Sequence, residues 1–378
     1  MADAEPAAAE GAAPHSCGVG IIGLSANGGW ASLAHLPALR SMPDKFDVVA
    51  LSASSDKSAE AAAKAHAVST ATGDALVLAS SSDVELVVVA VKVPEHRDLV
   101  QKALDSRKDV YCEWPLGRDT AQAEVMLDAA RQSGVRHFVG LQARSSPALR
   151  YIRDLVKEGY VGRIISTRVT GSGGFPWGGH AISPMAYTLD DGLGATLFTI
   201  PFGHMVDGFT WVLGDFAALN ATMAVQFPQV KLTDTGKTIA ANGPDEVVVS
   251  GTLESGAVAS LHYTGPESPA GNLRWEISGE AGTLLIESGS GHLQYGHLKI
   301  SGRQGEGELR KLEVPPSYRR CTTAENSHAD SVAHAYHAVF EDLRTGADSV
   351  PDFADAVKLH RLLDRIRNAA GWNMESGI

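Results

Sequence analysis

From Gly18 to Leu141, short apolar runs alternate with stretches in which apolar residues recur at helical spacing. The runs Gly18–Leu24, Phe46–Leu51, Val84–Val91, Val110–Cys112 and Arg136–Leu141 each predict a strand. Val84-Glu-Leu-Val-Val-Val-Ala-Val91 is almost continuously apolar, as a strand covered on both faces requires. Between the runs, Trp30–Ser41, Lys57–His66, His96–Ser106 and Thr120–Ser133 predict helices. This alternation predicts a parallel, doubly wound α/β sheet, the Rossmann arrangement, which binds ligands outside the carboxyl ends of its strands.

The pattern changes after about residue 145. Pro147–Glu158 and Leu193–Leu213 predict helices, and Ser327–Thr345 and Phe353–Ala370 two more at the end. Between them lie Ile164–Thr170, Ala217–Phe227, Glu246–Leu253, Ala257–Tyr263, Leu273–Gly279 and Gly282–Glu287. Several alternate apolar and polar residues, the pattern of antiparallel strands with one face in water. Glu254–Gly256 and Gly279–Gly282 read as hairpin turns, Gly265–Gly271 and Gly302–Tyr318 as irregular segments. The second half is therefore expected to be an α+β domain on a mostly antiparallel open sheet, whose free face suits a homodimer or higher homo-oligomer. The division expected is a disordered tail at 1–16, a dinucleotide-binding domain at 17–144 and a substrate and dimerisation domain at 145–378.

A length of 378 residues fits two domains, because single cores stop growing near 250–300 residues. The net charge of −12 argues against direct contact with nucleic acid or an anionic membrane. Three cysteines without metal spacing suit a reducing compartment, so the expectation is a cytoplasmic or nuclear protein with no metal.

The chemistry starts at Gly23-Leu24-Ser25-Ala26-Asn27-Gly28-Gly29-Trp30, between the first strand and the first helix. Glycines there let the backbone turn tightly and approach a pyrophosphate. The match to G-x-G-x-x-G is degenerate, with Ser25 in place of the second glycine. At the end of the second strand, Leu51-Ser52-Ala53-Ser54-Ser55-Asp56-Lys57 lacks the acid that would bond an adenosine 2′-hydroxyl. Small hydroxyls at Ser52 and Ser54 tolerate a 2′-phosphate. NADP is favoured, and NAD stays open because no Arg clamps the phosphate.

These residues, together with Val91-Lys92-Val93-Pro94-Glu95-His96, Lys108–Pro115, Gly203–Asp207 and Trp275–Leu285, resemble the Gfo/Idh/MocA oxidoreductase family across residues 17–370. The insertion ending in Gly29-Trp30 and the Glu113-Trp114 pair resemble the fungal galactose-pathway repressor, a regulatory relative of these dehydrogenases that binds a nicotinamide dinucleotide and a transcriptional activator. The resemblance implies Glu113 on a ribose hydroxyl; Val91, Lys92, His96 and Gln142 are expected around the cofactor, and Trp114 and Trp30 either pack against it or pack the domain junction. It also exposes departures. Trp114 stands where the family usually has Lys, Val91-Lys92-Val93 replaces the usual Thr-Pro-Asn, and Ile200 replaces an Asp; His204 remains.

His204 is thus the first candidate for proton transfer, against the plainer reading of a helical His bonded to Asp207 or to backbone. Lys92 is the displaced-amine alternative, or a contact to cofactor phosphate or ribose. Arg144 would anchor a substrate carboxylate or phosphate, or else form an interdomain salt bridge. The stretch Gly171–His180 supplies Phe175, Trp177 and His180 to a substrate loop, and Tyr187 follows it. The function expected is NAD(P)-dependent oxidoreduction of a sugar-like small polar molecule. The alternative is a non-catalytic NAD(P)-sensing regulator that binds another protein.

Overall fold

The computed structural model describes residues 16–323 and 327–372. The tail expected at 1–16 lies outside them except for its last residue. The first domain is a parallel sheet of β1 (Cys17–Ile22), β2 (Phe46–Ser52), β3 (Thr70–Thr72), β4 (Leu86–Val89), β5 (Asp109–Glu113) and β6 (His137–Gly140), ordered 3-2-1-4-5-6. Its connections are α1 (Leu36–Arg40), entered through a π-turn at Ala31–His35, then α2 (Asp56–His66), α3 (Ala75–Ser80), α4 (Val93–Asp105) and α5 (Thr120–Ser133). β1 and β4 are buried at every position, which explains their unbroken apolar runs. The strand order reverses between β1 and β4, and the cleft beyond their carboxyl ends is where such sheets bind ligands.

The second domain begins with α6 (Pro147–Lys157) and β7 (Ile164–Ser172), then β8 (His180–Ala181) and α7 (Pro201–Leu213). The remaining strands are β9 (Phe216–Ala224), β10 (Gln229–Leu232), β11 (Thr238–Ala240), β12 (Glu246–Leu253), β13 (Val258–Thr264), β14 (Leu273–Gly279), β15 (Gly282–Ser288), β16 (Lys299–Gln304) and β17 (Arg310–Leu312). Eight of them form one sheet, ordered 17-16-15-14-7-13-12-9, in which only β7 and β13 run parallel. One face buries Val169, Tyr263, Trp275 and Ile277 beside Phe209 of α7; the other carries Arg168, Ser260 and His262 in water.

Three expectations change. The helix expected from Leu193 starts only at Pro201, because proline fits the first helical turn and disrupts an interior one. The segment expected to be irregular around Gly302–Tyr318 contributes β16 and β17, whose short alternation is masked by Gly and charged residues. The third concerns the final helices, α8 (Ala329–Thr345) and α9 (Phe353–Ala369). A boundary at 144/145 assigns both to the second domain. In space α8 closes the first: Val332, Tyr336 and Val339 pack in one core with Ile21, Leu39, Phe46 and Tyr111. α9 bridges the two domains, packing on α5 and β9. Among the described residues, no helix is long and apolar enough to cross a membrane.

Candidate functional site

A cavity of about 260 Å³ lies between the domains, at the carboxyl ends of β4 and β5. The first domain contributes Trp30, Val91, His96, Glu113 and Trp114. The second contributes Phe175 and Trp177 from the connection after β7, Tyr187 from the turn Ser183–Leu189, and His204 from the first turns of α7. Trp30 and His204, 174 positions apart in the sequence, thus meet in one place.

On the first-domain wall the polar groups are paired. His96 lies 2.9 Å from the Pro115 carbonyl and 3.1 Å from that of Val91, and burial pulls its pKa down. It clamps the start of α4 to the segment after β5. Glu113 is buried; its Oε1 accepts from Gln142 Nε2 at 2.7 Å and lies 3.0 Å from His35 Nε2. His35 Nδ1 in turn lies 2.6 Å from the Tyr336 hydroxyl, so α8 reaches the back of the site. Trp114 is only 4% exposed, donates from Nε1 to the Thr199 carbonyl at 2.7 Å, and stacks near His360. It packs the domain junction as well as lining the cavity.

The second-domain wall differs. His204 Nδ1 is buried without a hydrogen-bond partner. The reading in which Asp207 holds it is excluded, because Asp207 pairs with Arg144 instead. Burial, with a smaller contribution from nearby His292, pushes the His204 imidazole down to about 3, so the ring is neutral at pH 7. The sequence reading missed His292, Gln294 and Tyr295, which line the cavity from the loop between β15 and β16. Their signal was present in Gly289-Ser-Gly-His-Leu-Gln-Tyr295, a Gly-rich connection with three polar or aromatic groups, but nothing local ties that loop to His204.

Other expected residues stand elsewhere. Lys92 is on the exposed rim, Nζ 5.0 Å from the centre of the Tyr187 ring. Gln142 sits behind Glu113. Gly23, Leu24, Ser25, Asn27, Gly28 and Gly29 form the turn beyond β1, with Leu24 buried beneath it. Ser52 is buried at the end of β2, its carbonyl receiving Gly23 N–H at 2.9 Å, and Ser54 is exposed beside Ser58. Two substrate assignments are corrected. Arg144 takes the salt-bridge alternative, pairing with Asp207 at 2.6 Å and Asp355 at 2.8 Å outside the cavity, since burial of a guanidinium requires matched carboxylates. His180 is exposed on β8, paired in register with Lys231 and not part of the cavity wall.

The turn beyond β1 fits a dinucleotide. Gly28 and Gly29 have φ of 99° and 116°, and nothing lies within 4 Å of where a side chain would project, so bare backbone faces open space. Trp30 Nε1, at the end of this turn, is a buried donor without a partner. No carboxylate caps β2 toward it; Asp56 Oδ1 accepts from Gly73 N at 2.6 Å. Among the described residues, no cluster of His, Cys, Asp or Glu is placed to hold a metal.

Comparison with known proteins agrees with this architecture. Residues 17–141 match the oxidoreductase family with an NAD-binding Rossmann fold, and residues 147–288 match the Gal80p C-terminal domain. Dehydrogenase aclE of Aspergillus oryzae is 33% identical over 283 residues, 72% of this chain and 77% of that protein. The galactose/lactose metabolism regulatory protein GAL80 of Saccharomyces cerevisiae is 29% identical over 300 residues, 75% of this chain and 69% of the relative. A crystal structure of a Gal80p super-repressor mutant from that yeast superposes with a TM-score of 0.85 at 24% identity, covering 94% of this chain and 96% of the other. Levoglucosan dehydrogenase, in complex with NADH and levoglucosan, superposes with a TM-score of 0.80 at 22% identity, covering 94% and 97%. The chain belongs to the Gfo/Idh/MocA oxidoreductase family, with an NAD-binding Rossmann domain followed by a domain of the Gal80p C-terminal type.

Proposed function

We propose that this chain is an NAD(P)-dependent oxidoreductase acting on a sugar-like or related small polar molecule, with His204 at the reacting oxygen. The observation that carries this reading is His204 Nδ1, a buried polar atom without a partner in the cavity between the two domains. A buried imidazole left unpaired is costly unless a ligand completes it. When bound, the cofactor supplies or accepts hydride. The chain does the rest. Gly28 and Gly29 present backbone to the dinucleotide, Glu113 is held rigid by Gln142 for a ribose hydroxyl, and the aromatic rings of Trp177 and Tyr187 cover an apolar face of the substrate.

A neutral His204 gives or accepts a hydrogen bond at a carbonyl or hydroxyl without storing charge. That suits polarisation of a carbonyl during reduction better than retention of a proton after oxidation. The missing acid at the end of β2 favours NADP over NAD. Exposed Val248, Val258 and Ile165 on the eight-stranded sheet's domain support its use as a homodimer surface, in a cytoplasmic or nuclear protein. The test is titration with NADPH and NADH followed by nicotinamide fluorescence, then a turnover screen of polyols and carbonyl compounds. Saturable binding and turnover support the reading, and binding of neither dinucleotide refutes it.

The Gal80p-type second domain favours one other reading, a non-catalytic NAD(P)-sensing regulator that binds a protein partner. Trp114 in place of the usual Lys supports it too. Dinucleotide binding without turnover, together with partner binding that changes with dinucleotide, would select it.

A further inference from the structure

The wall opposite the first domain has a hydrogen-bonding polarity that its geometry fixes. His292 Nε2 lies 3.0 Å from the Gly173 carbonyl. A carbonyl only accepts, so Nε2 carries the proton and Nδ1 of the neutral ring is an acceptor. Gln294 Nε2 approaches that Nδ1 at 3.3 Å, and this orients the amide. Its other atom, Oε1, is buried without a partner in a residue only 5% exposed. Stacking of His292 on Tyr295, with ring centres 4.8 Å apart, holds the assembly in place. Burial keeps His292 down at about 4, so the arrangement persists at neutral pH.

We propose that Gln294, oriented by His292, selects the ligand of this cavity: its Oε1 accepts a hydrogen bond from a hydroxyl of an uncharged molecule. This rests on reading the cavity as the ligand site. A hydroxyl donates and accepts, so it satisfies Gln294 and still pairs with a neighbouring group. A carboxylate cannot fill this place itself, so a sugar acid would also have to offer a hydroxyl here, and the choice between neutral and anionic molecules falls to charge. Charge decides against the anion. Among the described residues lining the cavity there is no Lys or Arg, and its one carboxylate, Glu113, is already paired. A buried anion would meet no counter-charge. The chemical class is thus a neutral polyol, hydroxyaldehyde or hydroxyketone rather than a sugar acid or sugar phosphate.

The experiment compares matched probes by tryptophan fluorescence and melting shift, with and without NADPH. D-Glucose is set against D-gluconate and D-glucose 6-phosphate, and xylitol against xylonate. The expected result is at least about tenfold tighter binding of a neutral member than of its anionic partners, because the anion brings a charge that nothing in the cavity matches. Gln294→Leu, which removes the acceptor, should reduce that neutral binding by about tenfold, the value of one well-placed hydrogen bond. Circular dichroism establishes that the variant is folded. An anionic probe that binds as well as its neutral partner, no binding of any neutral probe, or unchanged neutral binding in Gln294→Leu would each overturn the proposal. Failure of NADPH and NADH to bind, with the neutral preference intact, would instead strike the oxidoreductase reading alone.

Discussion

The two walls of the interdomain cavity differ in how their central polar groups are paired. On the first-domain side His96, Glu113 and Trp114 have polar partners within the protein at 2.7–3.1 Å. On the second-domain side His204 Nδ1 and Gln294 Oε1 have none. Trp30 Nε1, at the end of the β1 turn, and Gln142 Oε1, behind Glu113, are exceptions in the first domain. Satisfied groups position; unsatisfied groups await a ligand. The contrast teaches that the Rossmann half of this site is preformed, whereas the second half is completed by what it binds.

The largest expected effect sharpens the unsatisfied side. His204→Ala should lower turnover by ~10²–10⁴-fold, the usual contribution of a positioned acid/base or polarising group. Steady-state kinetics checks it, with His204→Asn as the less disturbing variant. On the satisfied side the effect should be on stability. Trp114→Ala deletes a buried ring and its bond to Thr199, and should cost about 3–5 kcal/mol in chemical denaturation. Loss of less than about 1 kcal/mol would show that Trp114 is not part of a rigid junction.

The buried histidines predict the pH dependence. His204 is held down at about 3, and His292 and His360 at about 4, each chiefly by burial. Their folded values lie below the unfolded one, so the unfolded chain binds more protons as pH falls. Stability is therefore full above about pH 6.5 and declines toward pH 4, by about 1.4 kcal/mol per pH unit for each histidine that stays neutral. Urea midpoints measured across that window check the sign; a midpoint that rises on acidification would contradict it. The smallest effect belongs to the rim. Lys92→Ala should change turnover by less than about tenfold, because Lys92 stands outside the cavity over Tyr187. Abolished turnover with cofactor binding intact would pass the proton-transfer role from His204 to Lys92.

How much of this was legible in the sequence follows the range of the contacts. The turn from Gly23 to Trp30 and the Glu113-Trp114 pair sit at the ends of apolar strands, so local pattern and the β-α alternation were enough to place them at the sheet's mouth. For Arg144 the sequence left an anion anchor and an interdomain salt bridge open, because its partners Asp207 and Asp355 lie 63 and 211 residues away and charge alone does not reveal which carboxylate a guanidinium meets. His292 and Gln294 were missed because their position depends on pairing of β15 with β14 and β16, a long-range outcome. The home of α8 was equally hidden: an amphipathic helix carries the same pattern whichever sheet it covers.

The claim that matters most is that a nicotinamide dinucleotide and a reactive small molecule meet at His204. The direct measurement is single-turnover oxidation of bound NADPH at 340 nm with a panel of neutral hydroxyaldehydes and hydroxyketones, wild type beside His204→Ala. The account predicts saturable NADPH binding by both proteins and rapid loss of absorbance in the wild type alone. Equal rates in the two, or tight NADPH binding with no absorbance change in either across the panel, would contradict it.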